Sequence, residues 1–427
     1  MRVWHLDTEY DAFVSAVVAS RETRKAGVRD AVDRIKGEVL RRGEGALLGY
    51  SRKFDGWTRD YPLKVDPDEI DAAASEVEPK DRRVLAGMIE NVTRFHRSQK
   101  LAPRTYKRQG LTVVEEPEPV DAALVYVPGG TAAYPSSLVM GVVPAKIAGV
   151  RDIYATTPTR DGRVNPYVAC AALLLGIKGL YRIGGAQAIY AFTFGIGSIP
   201  RVDMIVGPGN AYVEEAKRDV YGQVGIDMLA GPSELIILAA EPFSPDVLTW
   251  DLFSQAEHDE MAMVGLFSPS EEELFRVLES IRRLMPGTKR RQIIERALEG
   301  CGFLVHYTRL DDAVAAINRI APEHLEVIGD ESAATRIGYA GITYVGMSTC
   351  VSMGDYYIGT NHVLPTGGAG RFSSGLSVER FTKRKVLVKI DGSFLRKYGD
   401  NAARLAEIEG LYAHGEAIKA RKELRFK

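Results

Sequence analysis

The segment SQAEHD at 254–259 places Gln255 and His258 three positions apart, shortly after a strand-like run, LIILAAE. On a helix, positions i and i+3 share a face, so both side chains can reach one metal ion or one substrate. APEHLE (321–326), MGDYYIGTNH (353–362) and EGLYAHGEA (409–417) add further carboxylates and imidazoles: Glu323, His324, Asp355, His362, Glu409 and His414.

Zinc accepts imidazole nitrogen and carboxylate oxygen, which His258, Asp355 and His414 offer. The amide oxygen of Gln255 is a weaker and less common ligand, and the same donors suit manganese or cobalt. The four residues carry no spacing signature, so spacing alone also allows each an ordinary hydrogen-bonding or surface role. Of seven histidines, His258, His324, His362 and His414 lie in glycine- or carboxylate-rich turn contexts, whereas His5, His96 and His306 fall in strand or helix patterns and are expected to be structural. Glu323 and His324 form an acid–base pair by type. An imidazole near its usual pKa can remove a hydroxyl proton, and a carboxylate beside it can orient or deprotonate a water. Neighbours on a strand point to opposite faces, so the two share a substrate only if they lie in the turn after Pro322. The other reading is a helix-to-strand junction carrying solvated polar residues.

Three glycine-containing loops, VPGGTAAYPSS (127–137), IGGAQA (183–188) and GPGNAY (207–212), fall where parallel strands should end. In an open α/β sheet that edge binds ligands, and a following helix offers free N–H groups to phosphate. None is a GxGxxG, since Tyr212 stands where the third glycine belongs, and tight turns for helix–strand packing explain the pattern equally well.

The elements that must position these residues follow from the patterning. Residues 28–99 read as helical, with apolar positions three and four apart. After Ala122, β-rich and helical runs alternate, which calls for mostly parallel sheet covered by helices on both faces, and the number of strands favours two sheets over one. GGAGRFSSGLS reads as a loop or hinge before the basic strand-like KRKVLVKI, and the last forty or so residues read as a helical arm. Such an arm must pack on this chain or on a second copy.

With 427 residues, at least two domains are expected against a norm of about 150 residues each. Lys+Arg 55 against Asp+Glu 56 leaves no basis for a general nucleic-acid or acidic-membrane mode of binding. The basic tail KARKELRFK reads as the solvated end of a helix. Cys170, Cys301 and Cys350 show no CxxC spacing, which favours core filling in a reducing compartment. Asp7, Glu9 and Asp11 precede the short apolar run at 13–19 where a signal peptide would be basic, and no segment reaches the roughly 18 apolar residues of a membrane span, so a cytoplasmic protein is expected.

Taken in order, SRKFDGW, VYVPGGTAAYPSS, GGAQAI, VGPGNAYV, IDMLAGPSE, SQAEHD, APEHLE and TNHVLPTGG resemble the histidinol dehydrogenase family. The resemblance implies NAD-dependent oxidation of L-histidinol to L-histidine in two hydride transfers through bound L-histidinal, the last step of histidine biosynthesis. It implies one zinc per subunit on Gln255, His258, Asp355 and His414, with Ser233, His362 and Glu409 helping to hold substrate. NAD would lie against Tyr126, Gln187 and Asn210; His324 would be the base and Glu323 would activate water. The implied fold is two incomplete Rossmann-like, doubly wound domains in an intertwined homodimer, each arm reaching the partner's site. The corresponding partition is an N-terminal arm (1–25), a first Rossmann-like domain (26–125 with 235–320), a second, NAD-binding one (126–234 with 321–375) and a C-terminal arm (376–427). A paralogue acting on another primary alcohol, such as a sulfonated propanediol, would gain nothing from Glu409; a zinc hydrolase would act without NAD; a scaffold would tolerate His324→Asn.

Overall fold

The computed structural model describes residues 1–21, 27–129, 134–240 and 243–423. It begins with β1 (Arg2–His5) and α1 (Leu6–Ser20). Helices α2 (Val28–Arg42), α3 (Glu44–Phe54), α4 (Pro67–Ser75) and α5 (Pro79–Arg97) fill the region expected to be helical, and β2 (Arg104–Arg108) and β3 (Leu111–Pro119) follow. A first alternating series runs β4 (Ala122–Tyr126), α6 (Pro135–Ala148), β5 (Asp152–Thr156), α7 (Pro166–Leu175), β6 (Gly179–Tyr181), α8 (Gly185–Phe194), β7 (Met204–Val206), α9 (Ala211–Val220) and β8 (Gly225–Ile226). A second runs β9 (Glu234–Ala239), α10 (Pro245–Ala256), β10 (Met263–Ser268), α11 (Glu271–Leu284), α12 (Arg291–Cys301), β11 (Gly302–His306), α13 (Leu310–Ile320), β12 (His324–Ile328), α14 (Ser332–Arg336), β13 (Ile342–Val345) and α15 (Val351–Tyr356). The chain closes with β14 (Thr382–Ile390), α16 (Gly392–Ile408) and α17 (Tyr412–Lys422).

Two compact units result, residues 1–99 with 121–381, and residues 100–120 with 382–427. The larger contains two parallel sheets. One has five strands in the order β6-β5-β4-β7-β8, the other six in the order β1-β11-β10-β9-β12-β13. Their central strands are buried throughout, as β4 (AALVY), β9 (ELIILA) and β12 (HLEVI) are, because helices cover both faces. Helix α6 is apolar all round and mostly buried for the same reason. Among the described residues no helix is long and apolar enough to cross a membrane.

The expected alternation is present, but the expected partition needs correction. Segment Arg2–His5 is no arm: it is the edge strand of the six-stranded sheet, paired with β11, and Phe13 and Val14 of α1 pack on that sheet with Phe267 and Phe303. Helices α2 and α3 bury Val32, Val39 and Leu47 against the five-stranded sheet and not with 235–320. Strands β12 and β13, assigned by sequence to the second domain, continue the six-stranded sheet through the β9–β12 pairing. A parallel strand's apolar run announces burial on both faces without saying which sheet it completes.

The smaller unit is an antiparallel sheet, β14-β3-β2, with the helical pair α16 and α17. The KRKVLVKI segment is its strand β14, along the whole length of β3. Apolar side chains stay exposed on this unit, including Val388, Leu405, Ile408 and Tyr412.

Candidate active site

His324 is the first residue of β12, level with Leu235, and Glu323 precedes it in the junction after α13. The junction turns sharply because buried Ala321 is held at φ 52°, a left-handed state costing a non-glycine residue about 1–3 kcal/mol. Arg21 bridges the same place. Its Nη1 donates to the Ile320 carbonyl at 2.8 Å, and its Nε and Nη2 donate to the two oxygens of buried Glu234 at 2.9 and 2.8 Å. The Glu234 main-chain N–H donates to Glu323 Oε2 at 2.9 Å, and its carbonyl lies 3.1 Å from His324 Nδ1.

Glu323 therefore sits in the turn that a shared substrate requires, and both residues are buried, so the solvated-junction reading is overturned. Glu323 Oε2 lies 3.5 Å from His324 Nδ1. His324 Nε2 is buried without a hydrogen-bond partner and 3.8 Å from Asp355 Oδ1. Burial opposes an imidazolium here, but Glu323, then Asp355 and the Glu234 carbonyl, outweigh it and raise the His324 pKa to about 9. The ring stacks on Tyr344 at 6.3 Å. The Tyr344 hydroxyl meets Gly354, where any Cβ would collide, so this glycine lets α15 bring Asp355 close.

His362 Nδ1 lies 2.9 Å from the Asp355 carbonyl. Burial lowers the His362 pKa against the pull of Asp355, and the nearby charges of His324 and His258 lower it further, so this imidazole is neutral at pH 7. Gln255 is buried in the last turn of α10, which packs on α15, and its Oε1 has no hydrogen-bond partner. His258 lies two residues beyond the helix, exposed, its N–H donating to the Gln255 carbonyl at 3.2 Å. The expected one-turn relation thus survives as a turn and not as continuous helix. Ser233 is half-buried immediately before β9. Glu409 ends α16 and His414 lies in the first turn of α17, both exposed in the smaller unit. The larger unit by itself supplies Gln255, His258 and Asp355, an N/O set that fits a divalent cation, and the unpartnered amide oxygen of Gln255 is an acceptor that such an ion would satisfy.

The glycine loops meet elsewhere in the larger unit. Strand order reverses between β4 and β7, and the crevice at such a reversal opens at the carboxyl ends of the strands. A cleft of about 1860 Å³ lies there, lined by Tyr126, Gly129, Gly184, Gln187, Asn210 and Tyr212 among others. Residues 130–133 of the first loop lie outside the described residues. Gly129 and Gly184 face Pro158 so closely that a Cβ on either would collide. Tyr126 is buried, accepts the Gly185 N–H at 3.0 Å and has its pKa pushed by burial to about 12, so its phenol stays protonated. Asn210 caps α9, accepting from the N–H groups of Tyr212 and Val213 at 3.1 and 3.2 Å.

Three comparisons bear on this arrangement. The family model for histidinol dehydrogenase matches residues 18–422. The histidinol dehydrogenase of Dechloromonas aromatica is 40% identical over 99% of this chain and 99% of its own length, and that of Geobacillus kaustophilus 41% identical over 95% and 97%. The crystal structure of histidinol dehydrogenase from Elizabethkingia anophelis, 31% identical, superposes with a TM-score of 0.91 over 99% of this chain and 98% of that one. The chain belongs to the histidinol dehydrogenase family. It is an oxidoreductase, and the parallel α/β architecture is the one this family member has.

Several residues that shape the site left no mark in the sequence. Arg21 and Glu234 hold the His324 junction from positions 213 residues apart in the chain. Glu326 and Asp251 lie behind His324; burial raises both carboxyl pKa values, and the charge of Asp251 raises that of Glu326 further, while Glu326 accepts the Val351 N–H at 2.8 Å and fixes the start of α15. Lys217, fully buried, reaches Asp227 at 2.8 Å, the Gly207 carbonyl at 3.1 Å and Glu214 at 3.3 Å. Glu214 in turn accepts from Gly209 and Ala230, tying the GPGN loop to the IDMLAGPS segment.

Proposed function

We propose that the chain oxidises L-histidinol to L-histidine through bound L-histidinal, with two NAD molecules taking one hydride each. The observation that carries this reading is the buried pair His324 and Glu323, 3.5 Å apart, with His324 Nε2 left open beside Asp355, in a chain of this family. The Glu234 carbonyl holds Nδ1, so Nε2 is the nitrogen that takes the substrate hydroxyl proton as the first hydride leaves carbon. Glu323 then takes a proton from the water that adds to the aldehyde carbon, giving the anion of the hydrate, from which the second hydride departs to leave the carboxyl group. With the His324 pKa at about 9 before a metal binds, its base form is the minor one at neutral pH, and the rate is expected to rise with pH up to the pKa of the loaded enzyme.

Gln255, His258 and Asp355, with His414 of the partner subunit, are the residues we assign to one zinc ion. Such an ion supplies a fixed positive charge that orients the imidazole and amino nitrogens of the substrate. We assign Ser233 and His362 to hold the substrate, and Glu409 of the partner subunit to accept the imidazole's second N–H. Tyr126, Gln187 and Asn210 line the cleft assigned to NAD, whose position at a strand-order reversal supports a Rossmann-like mode lacking the GxGxxG turn. The exposed apolar residues of the smaller unit support a homodimer in which arms are exchanged. A cytoplasmic setting accords with the three free cysteines.

Absorbance of NADH with histidinol, before and after chelation, tests the whole reading. Two NADH per histidinol, lost on chelation, is the expected result. One would indicate an alcohol dehydrogenase that stops at the aldehyde, and none a hydrolase or scaffold.

A further inference from the structure

At the far end of the six-stranded sheet lies a second group of ligand-type side chains. His5 ends β1 and is level with His306, which ends β11; Glu271 opens α11 just after β10. Glu271 Oε1 is 3.2 Å from His5 Nδ1 and 3.9 Å from His306 Nδ1, and one ligand atom from each of the three residues falls within 4.8 Å of the others. The imidazoles meet edge to face at 5.6 Å. His306 Nε2 lies 3.2 Å from the Pro269 carbonyl, so that nitrogen carries the hydrogen and Nδ1 presents its lone pair. This Nδ1 is buried and has no hydrogen-bond partner, since 3.9 Å is too long for one.

Three electron-rich atoms thus converge, and a single proton can serve only one pair of them. We propose that His5, His306 and Glu271 bind a borderline divalent ion of the zinc, nickel or cobalt type, separately from the ion assigned to Gln255, His258 and Asp355. Ligands about 2.0–2.2 Å from a tetrahedral ion stand roughly 3.3–3.6 Å apart, a range that the two carboxylate–imidazole spacings of 3.2 and 3.9 Å bracket. An imidazole whose other nitrogen donates to a main-chain carbonyl is the usual arrangement of a metal-bound histidine. The site is remote from His324: His306 is level with Ile328 across Ser268 and Ala239, which puts the two centres roughly 13 Å apart along the strands and about 14 Å across them. Its ligands come from β1, β11 and the start of α11, so a bound ion staples the N-terminal edge strand to the sheet and stabilises the folded chain by mass action.

Full-length protein stripped with chelator, reloaded with Zn²⁺ and gel-filtered is assayed for metal per chain, in wild type, His5→Ala, Glu271→Gln and His306→Gln. Wild type is expected to hold one ion more per chain than each variant, and in a Gln255→Ala/His258→Ala background Ni²⁺ is expected to raise the melting midpoint, an effect lost when His5→Ala is added. In a Gln255→Ala/His258→Ala background one ion should remain and disappear with His5→Ala, which separates this site from the catalytic assignment. His5 and Glu271 are accessible enough for their variants to fold. Equal metal content in wild type, His5→Ala and Glu271→Gln would overturn the proposal.

Discussion

His324 and His306, on strands of one parallel sheet, each anchor one ring nitrogen to a main-chain carbonyl, Glu234 at 3.1 Å and Pro269 at 3.2 Å, and each leave the other nitrogen buried without a hydrogen bond. Their neighbours differ. His324 is enclosed, with Glu323 and Asp355 converging on it, and the ring holds a proton up to about 9. His306 faces one carboxylate from an exposed helix start together with a second imidazole, a set that offers ligand atoms to an ion. The same anchored imidazole becomes a proton carrier among carboxylates and a ligand beside another imidazole.

The sharpest way to break this contrast is to remove each ring. His324→Asn is expected to lower kcat by roughly 10²–10⁴-fold, the usual worth of a positioned acid–base group, while His306→Asn leaves kcat near the wild-type value. Steady-state NADH formation checks both, and similar losses would erase the distinction. Next in size, Arg21→Met strands buried Glu234 without its partner and should cost about 3–5 kcal/mol in urea unfolding, with the His324 junction disordered as a consequence.

The pH dependence sharpens the contrast further. Below its pKa, about 9 without a metal beside Asp355, the base form of His324 falls about tenfold per pH unit, so kcat/KM should climb with that slope up to the pKa of the loaded enzyme. A cation at Asp355 disfavours the imidazolium, so the limb of the metal-loaded enzyme should lie lower than the titration of His324 followed by NMR after chelation. The folding contribution has the opposite trend. Because the folded pKa is raised above 6.5, stability from this ring is complete below about 6.5 and is lost as pH rises through about 9. A kcat/KM profile with no rising limb anywhere below pH 9 would remove His324 from the role of base.

Local features were legible because they are written locally. The alternation after Ala122, the helices between 28 and 99 and the strand KRKVLVKI follow from period and composition. Candidate site residues in the larger unit were named through motifs, and Glu323 lies in the turn after Pro322, with His324 opening β12, because Ala321 takes a left-handed conformation before Pro322. What could not be read is non-local. Nothing in RVWH says that it pairs with β11, nor in HLEVI that it joins β9, and Arg21 finds Glu234 only after both sheet and helix exist. Lys217 shows the same limit: AYVEEAKRDVYG looks like a solvated face, yet folding buries that lysine completely between Glu214 and Asp227. His5 and His306 were expected to be structural because each falls in a strand or helix pattern, and only the parallel pairing sets them side by side.

A last difference separates the two places. The His5, His306 and Glu271 group is complete in one chain, whereas the substrate site as we propose it also draws on Glu409 of the partner subunit and His414 of the partner subunit. A carboxylate that accepts the second N–H of a metal-bound imidazole strengthens that ligand, and losing such a contact typically costs 10–100-fold. Glu409→Ala is therefore expected to raise KM for histidinol by about tenfold or more with a smaller change in kcat, because the lost contact holds the substrate's ring and not its reacting carbon. Zinc bound at His5 and His306 should be unaffected. A substrate without an imidazole has no second N–H to offer, so an unchanged KM would mean that the site is built for a different primary alcohol, such as a sulfonated propanediol.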